Sequence, residues 1–241
     1  MFAQFRQRSD ELEHLDKGDY TPEEYEGCII ELQRVNRWLG DARAFRLSVL
    51  AEIERAGLTE FSALDVGAGS GELLRTAARW ARQKGKQARL VGLEYNERSA
   101  RAIREDSREF PEIQSARGDA FALPFAAGAF DYVFCSLFTH HFKDAPVAAI
   151  LREMNRVARR GVFVIDLHRH PVAYLFYTTI GRLFLYNRLI REDGALSILR
   201  GFKPDELAIL ARQTNFAGAI VARKFPYRLV LSGSCNPKSK I

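Results

Sequence analysis

The stretch Leu64-Asp65-Val66-Gly67-Ala68-Gly69-Ser70-Gly71-Glu72 constrains this chain more than any other. A short apolar run ending in an acid reads as a buried parallel strand, the glycines make a tight turn, and Glu72-Leu73-Leu74 opens an amphipathic helix. Three glycines within five residues allow positive φ and a close backbone approach to a ligand. The helix that follows presents free N–H groups, and the usual tenant of such a loop is a nucleotide phosphate. Two details argue for a different tenant. Glu72 stands where a dinucleotide fingerprint needs its third glycine, and the Gly-Lys-Ser/Thr of a P-loop is absent. Asp65 beside the loop would repel phosphate and suits a cationic or amine-bearing ligand.

The rest of the chain gives this loop a place in a sheet. Strands are expected at Ala63 to Val66, Arg89 to Glu94, Ile113 to Ala116, Phe130 to Cys135 and Gly161 to Asp166. Helices alternate with them at Leu73 to Gln83, at Asn96 (as cap) through Arg104, and at Ala145 to Val157. After a helix at Pro204 to Thr214, Ala219 to Ala222 and Tyr227 to Leu231 read as a closing hairpin around Pro226. The expected fold class is α/β: a Rossmann-like, doubly wound, mostly parallel seven-stranded sheet with ligands outside the carboxyl ends of its strands.

Two additions flank that pattern. Residues 1–57 form an N-terminal helical extension, and 58–241 form the sheet domain. Met1 to Tyr20 are polar and charge-rich, which predicts a loosely held arm. Thr21-Pro22-Glu23-Glu24 is a helix start with a capping box, and apolar spacing continues it to Leu39. A second helix spans Ala42 to Ala56. Together they either cover a sheet face or form a lid, with Arg34 and Trp38 one turn apart on a separate side. Between strand five and the last helix, 167–201 is an insertion whose aromatic residues (Tyr174 and Tyr177 among them) predict a helix that covers something.

Composition mainly excludes. With 47% hydrophobic and 27% charged residues, the 241-residue chain is an ordinary globular protein. No apolar run approaches the ~20 residues of a membrane span, and the first residues lack a signal-peptide core. Cys28, Cys135 and Cys235 offer neither a disulfide framework nor zinc spacing. A cytoplasmic location is therefore expected. The net charge of +6 keeps nucleic acid or an anionic membrane surface in view, but the charges are dispersed among 30 acids. Weak membrane-surface association is compatible with this balance. The sequence does not specify an oligomeric state.

Asp65 to Gly71 resembles the first motif of the class I S-adenosylmethionine-dependent methyltransferases, and the similarity runs from about Leu58 to Arg160. The resemblance implies that Asp65, Gly67, Ala68, Gly69 and Gly71 hold the methionine part of S-adenosyl-L-methionine. Glu94, at the end of strand two, would accept hydrogen bonds from the ribose hydroxyls, with Tyr95 beside it. Gly118-Asp119-Ala120 resembles the adenine-binding turn, placing Asp119 and Ala120 at the base, and Ser136 closes the cofactor set at the end of strand four.

His140 and His141 follow that strand where family members face the transferable methyl. They resemble the histidine pair of the small-molecule, quinone- or polyketide-type branch. A neutral imidazole can take a proton from a phenol or an acidic carbon. One histidine of the pair is expected to be a catalytic base, with His141 slightly favoured; orientation of the acceptor or a structural role are the alternatives. Arg34, Trp38, His168, Tyr174 and Tyr177 are the candidate acceptor contacts. No carboxylate or Cys spacing supports a metal at His168 and His170, and none is expected.

The expected function is methyl transfer to a small aromatic or lipid-like acceptor, a phenol, quinone precursor or polyketide, at oxygen or carbon. An RNA methyltransferase is the competing reading. The Asp/Asn-Pro-Pro-Tyr/Phe of amino-methylating enzymes is replaced by Ser-Leu-Phe-Thr, and Cys135 lacks the setting of a cytosine-C5 nucleophile, so nucleic acid is disfavoured. A non-catalytic cofactor-binding module is the third reading.

Overall fold

The computed structural model describes residues 3–21, 23, 24, 27, 28, 31, 40–214 and 216–234. Seven strands form one sheet: β1 (Glu60–Val66), β2 (Gln87–Glu94), β3 (Ile113–Arg117), β4 (Phe130–Ser136), β5 (Ala158–Leu167), β6 (Ala217–Lys224) and β7 (Arg228–Ser234). Their order is β3-β2-β1-β4-β5-β7-β6, with β1 to β5 parallel and β7 antiparallel to both of its neighbours. The near-continuous burial of β1 and β4 is what strands covered on both faces require. The chain reaches the β3 edge and returns to lay β4 beside β1, so the order reverses there and a crevice opens at the carboxyl ends of β1 and β4.

Helices line both faces. A four-residue α1 (His14–Lys17) lies in the N-terminal segment. Next come α2 (Asp41–Phe45), a π-helical turn (Arg46–Leu50) and α3 (Ala51–Arg55). The domain then adds α4 (Glu72–Gln83), α5 (Glu97–Asp106) and α6 (Asp144–Val157). Last are α7 (Pro171–Thr178), α8 (Arg188–Arg200) and α9 (Pro204–Arg212). One core joins Phe45, Val49 and Ile53 to Leu74, Ala78 and Ile103 and to Phe61, Phe134 and Ile165 of the sheet. The second helix of the extension thus covers a sheet face. The other core joins Val147, Leu151 and Met154 of α6 and Leu207 and Leu210 of α9 to Val133, Cys135 and Val164.

The local signals in the sequence match local structure closely. Asn96 accepts from Arg98 N at 2.8 Å and caps α5. Thr21 and Glu24 form the reciprocal capping box, at 3.0 and 3.2 Å. Most of the helix expected beyond, with Arg34 and Trp38, lies outside the described residues.

Three expectations change. The second extension helix contains a π-helical turn instead of running as one regular helix. The insertion holds two helices, α7 and α8, with a 3₁₀ turn between them (Gly181–Leu183). They pack through Tyr177, Leu189, Ile190 and Ile198 against Cys28, Leu15 and Tyr20. The N-terminal arm is not loosely held. Phe5 and Glu13 are buried, and Arg8 donates to Arg200 O at 2.8 Å and Phe142 O at 2.7 Å. Charge-rich sequence predicts solvent exposure only when its partners are solvent; here they are buried carbonyls and carboxylates. Among the described residues no helix is long and apolar enough to cross a membrane.

A buried carboxylate ties the two central strands together at their amino ends. Asp131 accepts from Ser62 N at 2.9 Å and Ser62 Oγ at 3.0 Å, and Arg159 and Arg160 reach its other oxygen at 2.8 and 3.0 Å. Burial alone would raise its pKa, but the Ser62 and arginine hydrogen bonds outweigh that and lower it. Replacing Asp131 with Ala leaves Ser62 donors unpaired in the core, and a loss of about 2–4 kcal/mol is expected in denaturant unfolding. A depressed carboxylate contributes stability above its unfolded pKa and loses it as pH falls through the folded one. Stability of the Asp131→Asn variant should therefore decline less steeply in acid than wild type; parallel pH curves would contradict this role.

Candidate active site at the carboxyl ends of the central strands

The glycine loop is fastened to the neighbouring strand before any ligand is considered. Gly67 N and Ala68 N both donate to Leu93 O, at 3.0 and 3.3 Å, and Gly71 N closes the turn on Ala68 O at 2.8 Å. Gly67 has φ of +71°, and a Cβ there would meet the Phe138 ring at 2.5 Å, so the loop tolerates no side chain at this point. Gly69 N donates to Glu94 Oε1 at 2.5 Å, which sets an acid from β2 directly over the loop.

Four acids project from strand ends around the crevice. Asp65 is 2% exposed, and burial first, then the Glu94 charge, pushes its pKa well above the carboxylate range. No hydrogen bond to its side chain occurs among the described residues, so a cationic ligand would relieve it. Burial also raises Glu94, partly offset by the hydrogen bond from Gly69. Asp119, beyond β3, orders its own turn by accepting from Phe121 N at 2.9 Å. Ala120 beside it is buried in the core. Ser136 Oγ, at the end of β4, is buried without a partner among the described residues, a polar atom a ligand could satisfy. Tyr95 is 74% exposed; its backbone N–H serves Glu94 and its carbonyl accepts from Arg117.

The fourth acid, Asp166 at the end of β5, was missed as a site residue, although it occupies the same strand-end position as Asp65 and Glu94. It is fully buried and organises the histidine pair. The chain leaves β4 through Leu137, whose φ of +51° is unusual for a branched residue, and enters a 3₁₀ turn at Thr139–His141. Asp166 Oδ2 accepts from Thr139 Oγ1 at 2.6 Å and His140 N at 3.1 Å, and Oδ1 lies 2.6 Å from His140 Nδ1. Burial would raise its pKa, but the His140 charge and these hydrogen bonds hold it far below the usual range. In the neutral ring, an Nδ1–H directed at this carboxylate leaves the lone pair on Nε2, the arrangement of an oriented general base.

The two histidines differ sharply. His140 is 3% exposed, and its Nε2 lies 3.8 Å from Glu13 of the arm. The His141 side chain is 29% exposed, with Nδ1 3.4 Å from Asp16 and 3.9 Å from Glu13. Arg200 bridges the set, donating to His141 O at 2.5 Å and pairing with Asp16 at 2.7 Å, while Arg8 donates to His140 O at 3.1 Å. Burial would raise Asp16, but His141 and Arg200 hold it well down, whereas burial wins at Glu13 and raises it. Glu13, His140 and His141 bring one ligand atom each within 4.8 Å of one another. The sequence spacing gave no hint of this carboxylate. Arg200, 3.8 Å from Glu13, supplies positive charge to the cluster.

The candidate acceptor contacts separate. Tyr174 packs edge-on against Phe5 at 5.6 Å. Tyr177 does not face a ligand space: it is buried between α7 and α8, with its hydroxyl donated to Ile190 O and its pKa raised by burial. His168 lines a separate cavity with His170 and Arg223.

The chain is similar to known proteins over this same region. The methyltransferase domain family matches residues 64–165. The chain is 30% identical to ubiquinone biosynthesis O-methyltransferase of Pseudomonas aeruginosa over 167 residues, 67% of each protein. It is 36% identical to 2-phytyl-1,4-naphtoquinone methyltransferase of Thermosynechococcus vestitus over 96 residues, a match spanning 40% of either chain. Among solved structures, a SAM-dependent methyltransferase from Aquifex aeolicus superposes with a TM-score of 0.58 at 14% identity, covering 80% of this chain and 93% of that one. Magnesium protoporphyrin IX methyltransferase from Synechocystis, with bound SAH, gives 0.57 at 17%, covering 82% and 84%.

Because Arg200 joins the arm to the histidine turn, Arg200→Ala should release both. Hydrogen exchange is expected to rise across residues 8–17 while the β1 and β4 amides stay protected. The uncompensated acids should cost about 3 kcal/mol. Unchanged exchange in the arm would show that Phe5 packing and the Asp193 hydrogen bonds to His14 N and Leu15 N hold it without Arg200.

Proposed function

The chain belongs to the S-adenosylmethionine-dependent methyltransferases, and we propose that it methylates a hydroxyl or acidic carbon of a small aromatic or lipid-like acceptor, with His140 as the base. The observation that carries this reading is the 2.6 Å contact between buried Asp166 and His140 Nδ1. S-adenosylmethionine supplies an electrophilic methyl group when bound.

The residues at the strand ends fit that cofactor. Asp65, buried and unrelieved, suits its positive charge, and the glycine loop offers backbone at close approach. Glu94 would accept from ribose hydroxyls, Asp119 and Ala120 would face the base, and Ser136 Oγ would gain a partner. Asp166 holds the His140 ring in one tautomer and stabilises the imidazolium formed when Nε2 takes the acceptor proton. His141, which the sequence slightly favours as the base, is more exposed and engaged with Asp16, and orients the acceptor or the arm. Since Glu13 stands 3.8 Å from Nε2, the arm must withdraw for an acceptor to reach the base. The arm, more than the helix after Thr21, is therefore the proposed lid.

The acceptor class rests on two supports. Relatives are named for phytylnaphthoquinone, ubiquinone and demethylmenaquinone. The insertion also exposes Leu175, Phe176, Leu183, Phe184 and Tyr186, an apolar surface suited to a lipid-like acceptor or to light contact with a membrane surface.

Two measurements test this. Glu94→Ala should weaken S-adenosylmethionine binding by about 1.5–3 kcal/mol in calorimetry, because a charged acceptor is lost; unchanged affinity would remove Glu94 from the site.

With a phenolic quinone precursor as acceptor, His140→Ala should lower the methyl-transfer rate by ~10²–10⁴ and leave cofactor affinity intact. Asp166→Asn should lose a large part of the same factor and His141→Ala much less. Equal, near-wild-type rates in all three variants would eliminate base catalysis by this pair.

A further inference from the structure

A second cavity, of about 430 Å³, opens beside the end of β5 and contains none of the residues proposed for methyl transfer. Its walls come from four separate parts of the chain: Arg6 of the arm, His168 and His170 after β5, Lys203 and Asp205 at the start of α9, and Arg223 of β6. Two helices begin there. α7 starts with Pro171 after its cap His170, and α9 starts with Pro204 after Lys203, so both positive helix ends meet at the cavity.

The charge balance is one-sided. Arg169 is already spent on Glu206, at 2.5 and 3.0 Å, and on Gly201 O and Phe5 O. Arg6, Lys203 and Arg223 form no ion pair among the described residues, and Asp205 is the one carboxylate in the lining. Two positive charges therefore remain uncompensated at the walls. Burial first, then His170, Arg223 and Arg169, lower the pKa of His168 to about 4. The rings of His168 and His170 pack on Tyr227, outside the lining, at 6.5 and 5.0 Å.

We propose that this cavity is a binding site for a phosphoryl group, a phosphate monoester or pyrophosphate, held by Arg6, Lys203 and Arg223 at the joined amino ends of α7 and α9. Three cations in one lining suit a dianion better than a carboxylate. The size is that of a small-molecule site. The site is also connected to the histidine pair through the chain itself. Arg6 lies two residues before Arg8, which grips His140 O and Phe142 O, and His168 lies two residues after Asp166. A phosphoryl group bound to Arg6 would thus fasten the arm in its closed position.

The test uses the full chain with inorganic pyrophosphate as probe, followed by imidazole NMR and calorimetry. Pyrophosphate should shift His168 and His170 resonances before those of His141, with binding that weakens as salt rises. The Lys203→Gln/Arg223→Gln variant replaces partly or fully exposed side chains and should fold normally by thermal melt. It should bind about tenfold or more weakly, the loss expected when charge-assisted hydrogen bonds are removed. A parallel arm uses sedimentation with phosphatidic acid or phosphatidylcholine vesicles. Binding to pyrophosphate alone assigns a soluble phosphorylated ligand. Variant-sensitive binding confined to phosphatidic acid vesicles assigns a lipid headgroup. Variant-sensitive binding to neither pyrophosphate nor phosphatidic acid vesicles, or equal binding by variant and wild type, overturns the site whether or not the protein methylates its acceptor.

Discussion

The Asp166 carboxylate is the contact on which the site's geometry depends. It is wholly buried at the end of β5 and accepts from Thr139 Oγ1, His140 N and Leu167 N while holding His140 Nδ1. A buried carboxylate without such partners would be expensive, so the turn after β4 has little freedom once β5 is in place. The positive φ at Leu137 is the visible cost of bringing the turn back over the strand ends. One acid therefore sets the backbone of the turn, the tautomer of His140 and the direction of its free nitrogen.

Around that acid, charges alternate in shells. Asp166 is surrounded by His140 and Thr139, the His140 edge meets Glu13, and Glu13 and Asp16 meet Arg200. Arg200 and Arg8 then donate to the carbonyls of the histidine turn. The arm is held by this network, by Phe5 and Leu15, and by Asp193, which accepts from His14 N and Leu15 N at the start of the one-turn α1. Such an attachment is strong while dry and weakens once water or a ligand reaches the charges, a property well matched to a segment that must cover and uncover a base.

The cofactor side works differently. Asp65 and Glu94 stand on adjacent strand ends, and the Glu94 charge adds to the burial that raises Asp65. Gly69 N relieves Glu94 in part, while Asp65 has no such relief. Strain of this kind, arranged around a loop with no side chains in the way, favours a ligand that brings positive charge and hydroxyl donors together. The parallel sheet explains why it gathers here: β1, β2 and β4 all end on the same side, and the loop lies where the strand order reverses.

What the sequence by itself determined is everything carried by short-range signals. Alternating strand and helix patterns gave seven strands, and the glycines after Asp65 located the crevice. The caps at Asn96 and Thr21 were legible because each acts within a few residues of itself, and Asp65 and Glu94 because each closes an apolar strand pattern. Tertiary structure alone decided how the histidines are used. Asp166 and His140 are 26 residues apart, Asp16 and His141 are 125 apart, and no periodicity connects them. The arm looked solvated because its charges had no local partners. It is docked because closing the sheet puts buried carbonyls and carboxylates within its reach, and an unpaired polar group there costs more than ordering the arm.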